Sequence, residues 1–201
     1  LEALGNDEAT QAFETLADSR HYYGFLSADR LGLPYSFHYQ PLNFSEQVLE
    51  DVENLPGIQR AQEFYRLGRM TQARLEWYYA THNMPEERRA QAAIIAQRWG
   101  WHDRAIFTVA RTAYRDDLEL RFPTPYVSDV TAIADKYDID PSWAFAVIRQ
   151  ESAFMTDARS PAGAIGLMQL MPQTAKTVAR RLKTRYKGTN QLLDAGTNLL
   201  F

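Results

Sequence analysis

The stretch from Ile148 to Ala175 reads IRQESAFMTDARSPAGAIGLMQLMPQTA and decides how the second half of the chain is organised. Just before it, Asp140-Pro141 supplies a helix N-cap followed by proline at the first helical position, which predicts a helix over about 141–152. Glycine and proline between Thr156 and Gly166 predict a loop or a small hairpin. Pro172 predicts the start of another helix. The stretch is therefore a helix, a loop and a second helix, with a glutamate where the first helix ends.

That glutamate, Glu151, follows an apolar stripe on the predicted helix. Ala144, Val147 and Ile148 recur at the i, i+3, i+4 spacing of one helix face, and Glu151 is the next member at i+7. The spacing predicts that Glu151 points inward, is largely buried and borders a groove. A carboxyl group in such a place, near the negative end of the helix dipole, favours its protonated form, as a general acid requires. Periodicity alone also fits a glutamate whose head group reaches solvent.

The later segment from Gly166 to Ala175 reads GLMQLMPQTA. Together with Glu151-Ser152 it forms a motif that few unrelated sequences would contain by chance. At this spacing it resembles the catalytic core of the soluble lytic transglycosylases, lysozyme-like enzymes that act on peptidoglycan. The resemblance implies that Glu151 is the single catalytic acid and that the protein works in the periplasm. No metal or other cofactor is expected. The positions that the resemblance implies as the lining of the sugar-binding groove are Ser160, Gln169, Met171 and Thr174. Beside them, Gly163 and Gly166 are expected to let the backbone approach a polymeric substrate.

The reaction implied by the resemblance cleaves the β-1,4 bond between N-acetylmuramic acid and N-acetylglucosamine without water, and leaves 1,6-anhydromuramic ends. Glu151 would act first as general acid and then as general base. Asp157, in the predicted loop, is a second carboxylate, but a solvated turn aspartate is the expected interpretation. Two alternatives stay open: a hydrolytic muramidase of the goose-lysozyme type, and a cell-wall-binding or scaffold protein with an inactive, truncated catalytic lobe.

A short signature recurs in the first part of the chain. Leu67-Gly68 followed by Ala73 returns as Trp99-Gly100 followed by Ala105, which are 32 residues further on, and Leu4-Gly5 is a weaker third copy. Such a period is typical of stacked helical hairpins, so we expect Gly68 and Gly100 to lie at equivalent close contacts between helices. The two prolines in Phe122-Pro123-Thr124-Pro125 mark a junction, and Ser128 is the predicted N-cap of the helix that follows it.

The fold class predicted for the chain is all-α, in two parts. A helical-repeat, superhelical domain occupies 1–122, and the N-terminal half of a lysozyme-like catalytic lobe occupies 123–201. The chain ends on Leu199-Leu200-Phe201, before the Ala-Tyr-Asn-Ala-Gly type of segment expected from the resemblance, so we expect a fragment of a longer protein. Its first residues, Leu1 to Asp7, lack the basic and apolar regions of a signal peptide.

Composition narrows the range of partners. Of the 201 residues, 45% are hydrophobic and 23% are charged, which is the composition of a folded globular chain. A formal net charge of −3 gives no overall attraction to nucleic acid, and no apolar run is long enough for a membrane span. The absence of cysteine excludes thiol catalysis, and the four histidines show no ligand spacing for a metal. The expected partners are peptidoglycan glycan strands and, through the helical domain, other cell-wall enzymes.

Overall fold

The computed structural model describes residues 6–201, and the weaker repeat copy at Leu4-Gly5 lies outside that range. The predicted all-α class is confirmed: within 6–201 the chain is built from helices, with only isolated β-bridges beside them. The helices are α1 (Asn6–Ala17), α2 (Tyr22–Leu31), α3 (Glu46–Glu53), α4 (Pro56–Arg66), α5 (Met70–His82), α6 (Glu86–Arg98), α7 (His102–Val109), α8 (Leu118–Arg121), α9 (Val127–Lys136), α10 (Pro141–Ser152), α11 (Pro172–Arg181) and α12 (Ala195–Leu200), with a 3-10 turn at Thr189–Leu193. None of these helices is long and apolar enough to cross a membrane.

The chain divides into two compact units, and the smaller one runs up to Pro41 and includes Asp116–Leu118. Within it α1 packs against α2. The returning segment is held by an ion pair between Arg20 and Asp116 and by the Gln40 N–H, which donates to the Asp116 carbonyl at 2.9 Å.

The larger unit comprises Leu42–Arg115 and Glu119–Phe201. Its first part contains two helical hairpins, α4 with α5 and α6 with α7, which share one apolar core. Trp77 and Trp101 lie at its centre, each 2% exposed, with ring centroids 5.5 Å apart. The Trp77 indole N–H donates to the Thr108 hydroxyl at 2.9 Å, so the polar atom of this buried ring is satisfied.

The 32-residue repeat corresponds to these two hairpins. In both, a helix ends, one glycine with positive φ follows, and the next helix begins two residues later. The amide of Arg69 donates to the carbonyl of Phe64, and that of Trp101 to the carbonyl of Ala96, which is the same capping pattern. The predicted equivalence of the two glycines is therefore confirmed.

The predicted role of these glycines, however, is wrong. A Cβ atom placed on Gly68 or Gly100 would meet nothing within 4 Å, so neither glycine lies at a close helix contact. Their φ angles of 68° and 75° are left-handed, and glycine adopts this region without the steric cost of a side chain. The small residues that permit close packing are instead the fully buried Ala73 and Ala105.

Because only backbone conformation requires glycine at the two hairpin turns, Gly68→Ala and Gly100→Ala should each lower the free energy of unfolding by about 1 kcal/mol. Urea denaturation of the single variants measures this effect. Gly68→Asn is the matched control, since asparagine tolerates the left-handed region, and it should recover part of the loss. A loss of about 3 kcal/mol or more on Gly68→Ala would indicate a steric contact instead.

The second part of the larger unit contains α9 to α12. Helix α10 spans the predicted residues, and its N-cap is the predicted one: the Asp140 Oδ1 accepts from the Ser142 N–H at 2.8 Å. Helix α11 begins at Pro172, as predicted. The prediction that Ser128 caps α9 is wrong, because the helix starts at Val127 after a left-handed Tyr126 with φ 61°. Two small apolar clusters fill this part, one around Ile148 and Leu167 and one around Ile165 and Leu192.

Candidate active site

Glu151 is the penultimate residue of α10, and its side chain is exposed. The prediction that it is largely buried is therefore wrong. The buried stripe of α10 passes through Ile148 and Ser152, and at about 100° per residue Glu151 lies about 60° from Ile148, on the flank of that stripe. No residue in the described range 6–201 forms a hydrogen bond or an ion pair with its carboxylate.

The backbone directly after Glu151 and Ser152 is unusual. Ala153 and Phe154 both have left-handed φ angles, 48° and 69°, although neither is glycine. Each such residue costs about 1 kcal/mol or more and persists only where the surroundings fix it. Here the surroundings are apolar: both residues are buried, and they pack in one cluster with Ile106 and Leu167. Strained backbone of this kind concentrates at functional sites.

The loop after α10 folds into a compact double turn, which fits the predicted loop or small hairpin. Ile165 forms isolated antiparallel bridges with Arg159 and Leu170. Ser160 and Gln169 lie beside these bridges, and each uses one polar atom to build the turn: the Ser160 Oγ accepts from the Ala164 N–H at 3.0 Å, and the Gln169 Nε2 donates to the Gly166 carbonyl at 2.9 Å. The Ser160 hydroxyl proton and the Gln169 amide oxygen make no hydrogen bond within residues 6–201.

Met171 and Thr174, the other two predicted groove residues, are exposed at the start of α11, immediately after the double turn. Met168 packs against the Ile148 cluster, as expected of a core methionine. The loop and α11 thus place Ser160, Gln169, Met171 and Thr174 on one continuous segment of 15 residues. No hydrogen bond in the described part of the chain links Glu151 to any of them.

The two glycines of the double turn play different roles. Gly163 is exposed, with φ 92°, and a Cβ there would meet nothing within 4 Å, so its backbone is open to a ligand. Gly166 is buried, and a Cβ there would overlap the Asn198 amide and the Leu192 carbonyl. The expectation that Gly166 lets a substrate approach the backbone is therefore wrong, because it lets Asn198 approach instead.

Asn198, on α12, is a fully buried polar residue that sequence reasoning did not single out. Its Oδ1 accepts from the Met168 N–H at 2.7 Å, and its Nδ2 donates to the carbonyls of Ile165 and Leu192 at 2.9 and 2.8 Å. One side chain thereby satisfies three backbone groups on both sides of Gly166. The only signal in the sequence was a polar residue on a short helix that is otherwise apolar at Ala195 and Leu199.

Asp157 is not the solvated turn aspartate expected from the sequence. Its two carboxylate oxygens accept from the two Nη atoms of Arg74, on α5, at 2.6 and 2.7 Å. The hydrogen bonds from Arg74 hold the pKa of Asp157 below its ordinary value, and the same contact raises the pKa of Arg74. Both oxygens of Asp157 are thus engaged by one guanidinium group.

Two protein-family models match the parts of the chain that contain these residues. Residues 129–201, which include α10, the double turn and α11, match the Transglycosylase SLT domain. Residues 51–118, which include both helical hairpins, match the Soluble lytic murein transglycosylase L domain. The chain belongs to the soluble lytic transglycosylase family.

Individual members of the family resemble the chain over nearly all of its length. The Soluble lytic murein transglycosylase of Salmonella typhimurium is 32% identical over 99% of the chain. Among solved structures, an inactive glutamate-to-glutamine variant of lytic transglycosylase Slt from Pseudomonas aeruginosa is 38% identical over 98% of the chain, with a TM-score of 0.91. The 70-kDa soluble lytic transglycosylase of Escherichia coli is 30% identical over 96%, with a TM-score of 0.89. The chain spans 31%, 32% and 31% of these proteins, respectively.

The described residues of this family member contain no group of three or more histidine, aspartate or glutamate side chains placed to hold a metal ion. His102, the first residue of α7, is partly buried. Burial lowers its pKa, and its ring lies 6.4 Å from that of Phe154.

Proposed function

We propose that the chain carries part of the catalytic machinery of a lytic transglycosylase that cleaves peptidoglycan, with Glu151 as the single acid and base. The observation that supports this most directly is the match of residues 129–201 to the transglycosylase domain, because Glu151 is the only glutamate between Pro123 and Phe201. The strained turn at Ala153-Phe154, which begins two residues after Glu151, is further support.

In the proposed reaction, the Glu151 carboxyl group donates its proton to the glycosidic oxygen between N-acetylmuramic acid and N-acetylglucosamine. The bond from C1 to that oxygen breaks, and the acetamido oxygen of the muramic residue stabilises the cationic centre. The Glu151 carboxylate then takes the proton of the C6 hydroxyl, and O6 attacks C1. The products are a free N-acetylglucosamine 4-hydroxyl and a 1,6-anhydromuramic end, so no water is added.

A mechanism with one carboxylate is favoured because Asp157, the candidate for a second one that is nearest in sequence, is engaged. Glycosidases that use water need a second carboxylate to activate that water or to act as nucleophile. Asp157 has both oxygens on Arg74, and its low pKa reflects that pair. Asp140 and Asp194 are likewise committed as helix N-caps, to the amides of Ser142 and Thr197.

We propose that four residues beside the double turn contact the sugars. The Ser160 hydroxyl can donate its proton and the Gln169 amide oxygen can accept, which suits sugar hydroxyl and acetamido groups. Met171 offers an exposed thioether to a sugar face, and Thr174 offers a hydroxyl one helical turn away.

We also propose that a helical-repeat domain at 1–122 is followed by the lysozyme-like lobe at 123–201. The two family matches, at 51–118 and 129–201, fall on either side of this boundary and support it. The helical domain is a candidate surface for glycan strands or other cell-wall enzymes. The periplasm is the compartment where the proposed substrate occurs.

Product analysis tests the reaction. Digestion of purified peptidoglycan by the full-length protein should release muropeptides with 1,6-anhydromuramic ends, about 18 mass units lighter than hydrolytic products, because internal attack adds no water. Mass spectrometry measures this difference. Products with free reducing ends would identify a hydrolytic muramidase, and binding to peptidoglycan without any product would identify a cell-wall-binding protein.

A further inference from the structure

A cluster of four charged residues joins the helical hairpins to the loop after α10. Arg74, on α5, holds the Asp157 carboxylate through two parallel hydrogen bonds of 2.6 and 2.7 Å. On its other side the Arg74 Nε lies 3.7 Å from the Asp103 Oδ2, and the Arg104 Nε donates to that same oxygen at 2.9 Å. Arginine and aspartate therefore alternate in this cluster across helices α5 and α7 and the loop.

The cluster is built more firmly than an ordinary surface ion pair. The Arg74 and Asp103 side chains are 25% and 5% exposed, and Asp157 is 38% exposed. The Arg74–Asp157 pair has the bidentate arrangement that fixes geometry as well as charge. By contrast, Arg60 and Glu76, which join α4 to α5, share one contact of 2.8 Å, and Arg60 is 59% exposed. Exposed pairs of that kind contribute little.

The cluster holds one end of a strained turn, which lies between Glu151 and Asp157. The turn contains the left-handed pair Ala153-Phe154. Few backbone hydrogen bonds shape this turn: the Ala153 N–H donates to the Arg149 carbonyl, the Met155 N–H to the Ser152 carbonyl and the Ala158 N–H to the Met155 carbonyl. A strained turn keeps its conformation only if contacts on both sides hold it. Phe154 packs with Ile106 of α7, and three residues later Asp157 is held by Arg74 of α5.

We infer that Arg74 is a positioning residue for Glu151: by holding Asp157, the helical hairpins fix the strained turn from which the α10 end and its exposed glutamate project. The inference rests on the proposed function, because it assigns a purpose to the position of Glu151. If Arg74 has this role, the helical hairpins contribute to catalysis by fixing the position of Glu151. The neutral change Asp157→Asn should then harm turnover although Asp157 touches no substrate.

The test compares Arg74→Gln, Asp157→Asn and their double variant in the full-length protein, with Arg60→Gln as the matched control on the same hairpin. Misplacement of a reacting group by about 1 Å costs on the order of 10²-fold in rate, so each single variant should lower kcat by about tenfold or more. KM should change less than about threefold, because the groove residues are untouched. The double variant should be no slower than the slower single one, and Arg60→Gln should match the parent.

Amide hydrogen exchange supplies a readout that does not depend on activity. The Ala153 and Met155 amides should exchange faster in Arg74→Gln and Asp157→Asn, whereas the Arg69 amide, in the α4 to α5 turn, should be unchanged. Arg74→Lys keeps the charge without the bidentate fork and should restore part of kcat.

Two results would overturn the positioning role: an unchanged kcat per folded molecule, or unchanged exchange at Ala153 and Met155. If the parent protein releases no anhydro product, the proposed function fails. Exchange alone then decides whether Arg74 fixes the turn.

Discussion

Glu151→Gln is expected to abolish the release of 1,6-anhydromuropeptides by the full-length protein. Glutamine keeps the shape of the side chain but can neither donate the proton to the glycosidic oxygen nor accept one from the C6 hydroxyl. General acid and base catalysis is worth about 10²- to 10⁴-fold, and in the proposed mechanism one residue supplies both. Because Glu151 is exposed and makes no bond within residues 6–201, the substitution should leave stability unchanged. Initial rates on purified peptidoglycan and thermal unfolding measure the two effects.

The neighbouring Gln150 provides a control for this experiment. It is also exposed near the end of α10, so Gln150→Ala should retain full activity and full stability. Glu151→Asp retains a proton but withdraws it by one methylene, and should lose on the order of 10²-fold. Residual activity of Glu151→Gln within tenfold of the parent would show that another group is the general acid.

Features that depend on a few adjacent residues could be predicted from the sequence. Helix α10 has the predicted bounds because Asp140 and Pro141 form a complete start signal within two positions, and the structure contains the predicted cap. Helix α11 starts at its proline for the same reason. Helix α9 lacks such a signal: it begins after a left-handed Tyr126 with no side-chain cap, so Ser128 was the wrong residue.

Patterns that two physical causes can produce were harder to interpret. A glycine repeated every 32 residues fits a close helix contact or a left-handed turn, and the open space beside Gly68 and Gly100 identifies the turn. An i, i+3, i+4 stripe likewise predicts one face of a helix but not the centre of its buried part: Ala144 and Val147 are only partly buried, and burial centres on Ile148 and Ser152. Glu151 therefore lies beside the buried stripe and not in it.

Contacts between segments that are distant in the sequence could not be predicted, because they leave no local sequence pattern. Arg74 and Asp157 are 83 residues apart, and Met168 and Asn198 are 30 apart. Nothing local distinguishes Arg74 from the exposed arginines of the same hairpin. The resemblance to a family was carried by the segment from Ile148 to Ala175, but it did not include Arg74 and Asn198, which bond to Asp157 and Met168 of that segment.

The largest effect on stability is expected from Asn198→Ala. The change removes the partner of the Met168 N–H and of the Ile165 and Leu192 carbonyls in a fully buried place. A buried polar group without a partner costs about 1–3 kcal/mol, so the free energy of unfolding should fall by roughly 3–5 kcal/mol. Urea denaturation measures the loss, and faster exchange of the Met168 amide would locate it.

The stability loss should arise from the buried hydrogen bonds of Asn198 and not from the removal of an asparagine as such. Asn190, exposed in the 3-10 turn before α12, is the matched control, and Asn190→Ala should change stability by less than about 0.5 kcal/mol. Asn198→Asp keeps an acceptor for the Met168 N–H but turns the donor toward Ile165 and Leu192 into a second acceptor, so it should not rescue stability. A loss below about 1 kcal/mol for Asn198→Ala would mean that the double turn holds its shape without α12. The predicted loss of roughly 3–5 kcal/mol would show that α12 fixes the backbone between Ile165 and Met168. Because Gln169 follows Met168 directly, α12 would then also fix the position of Gln169.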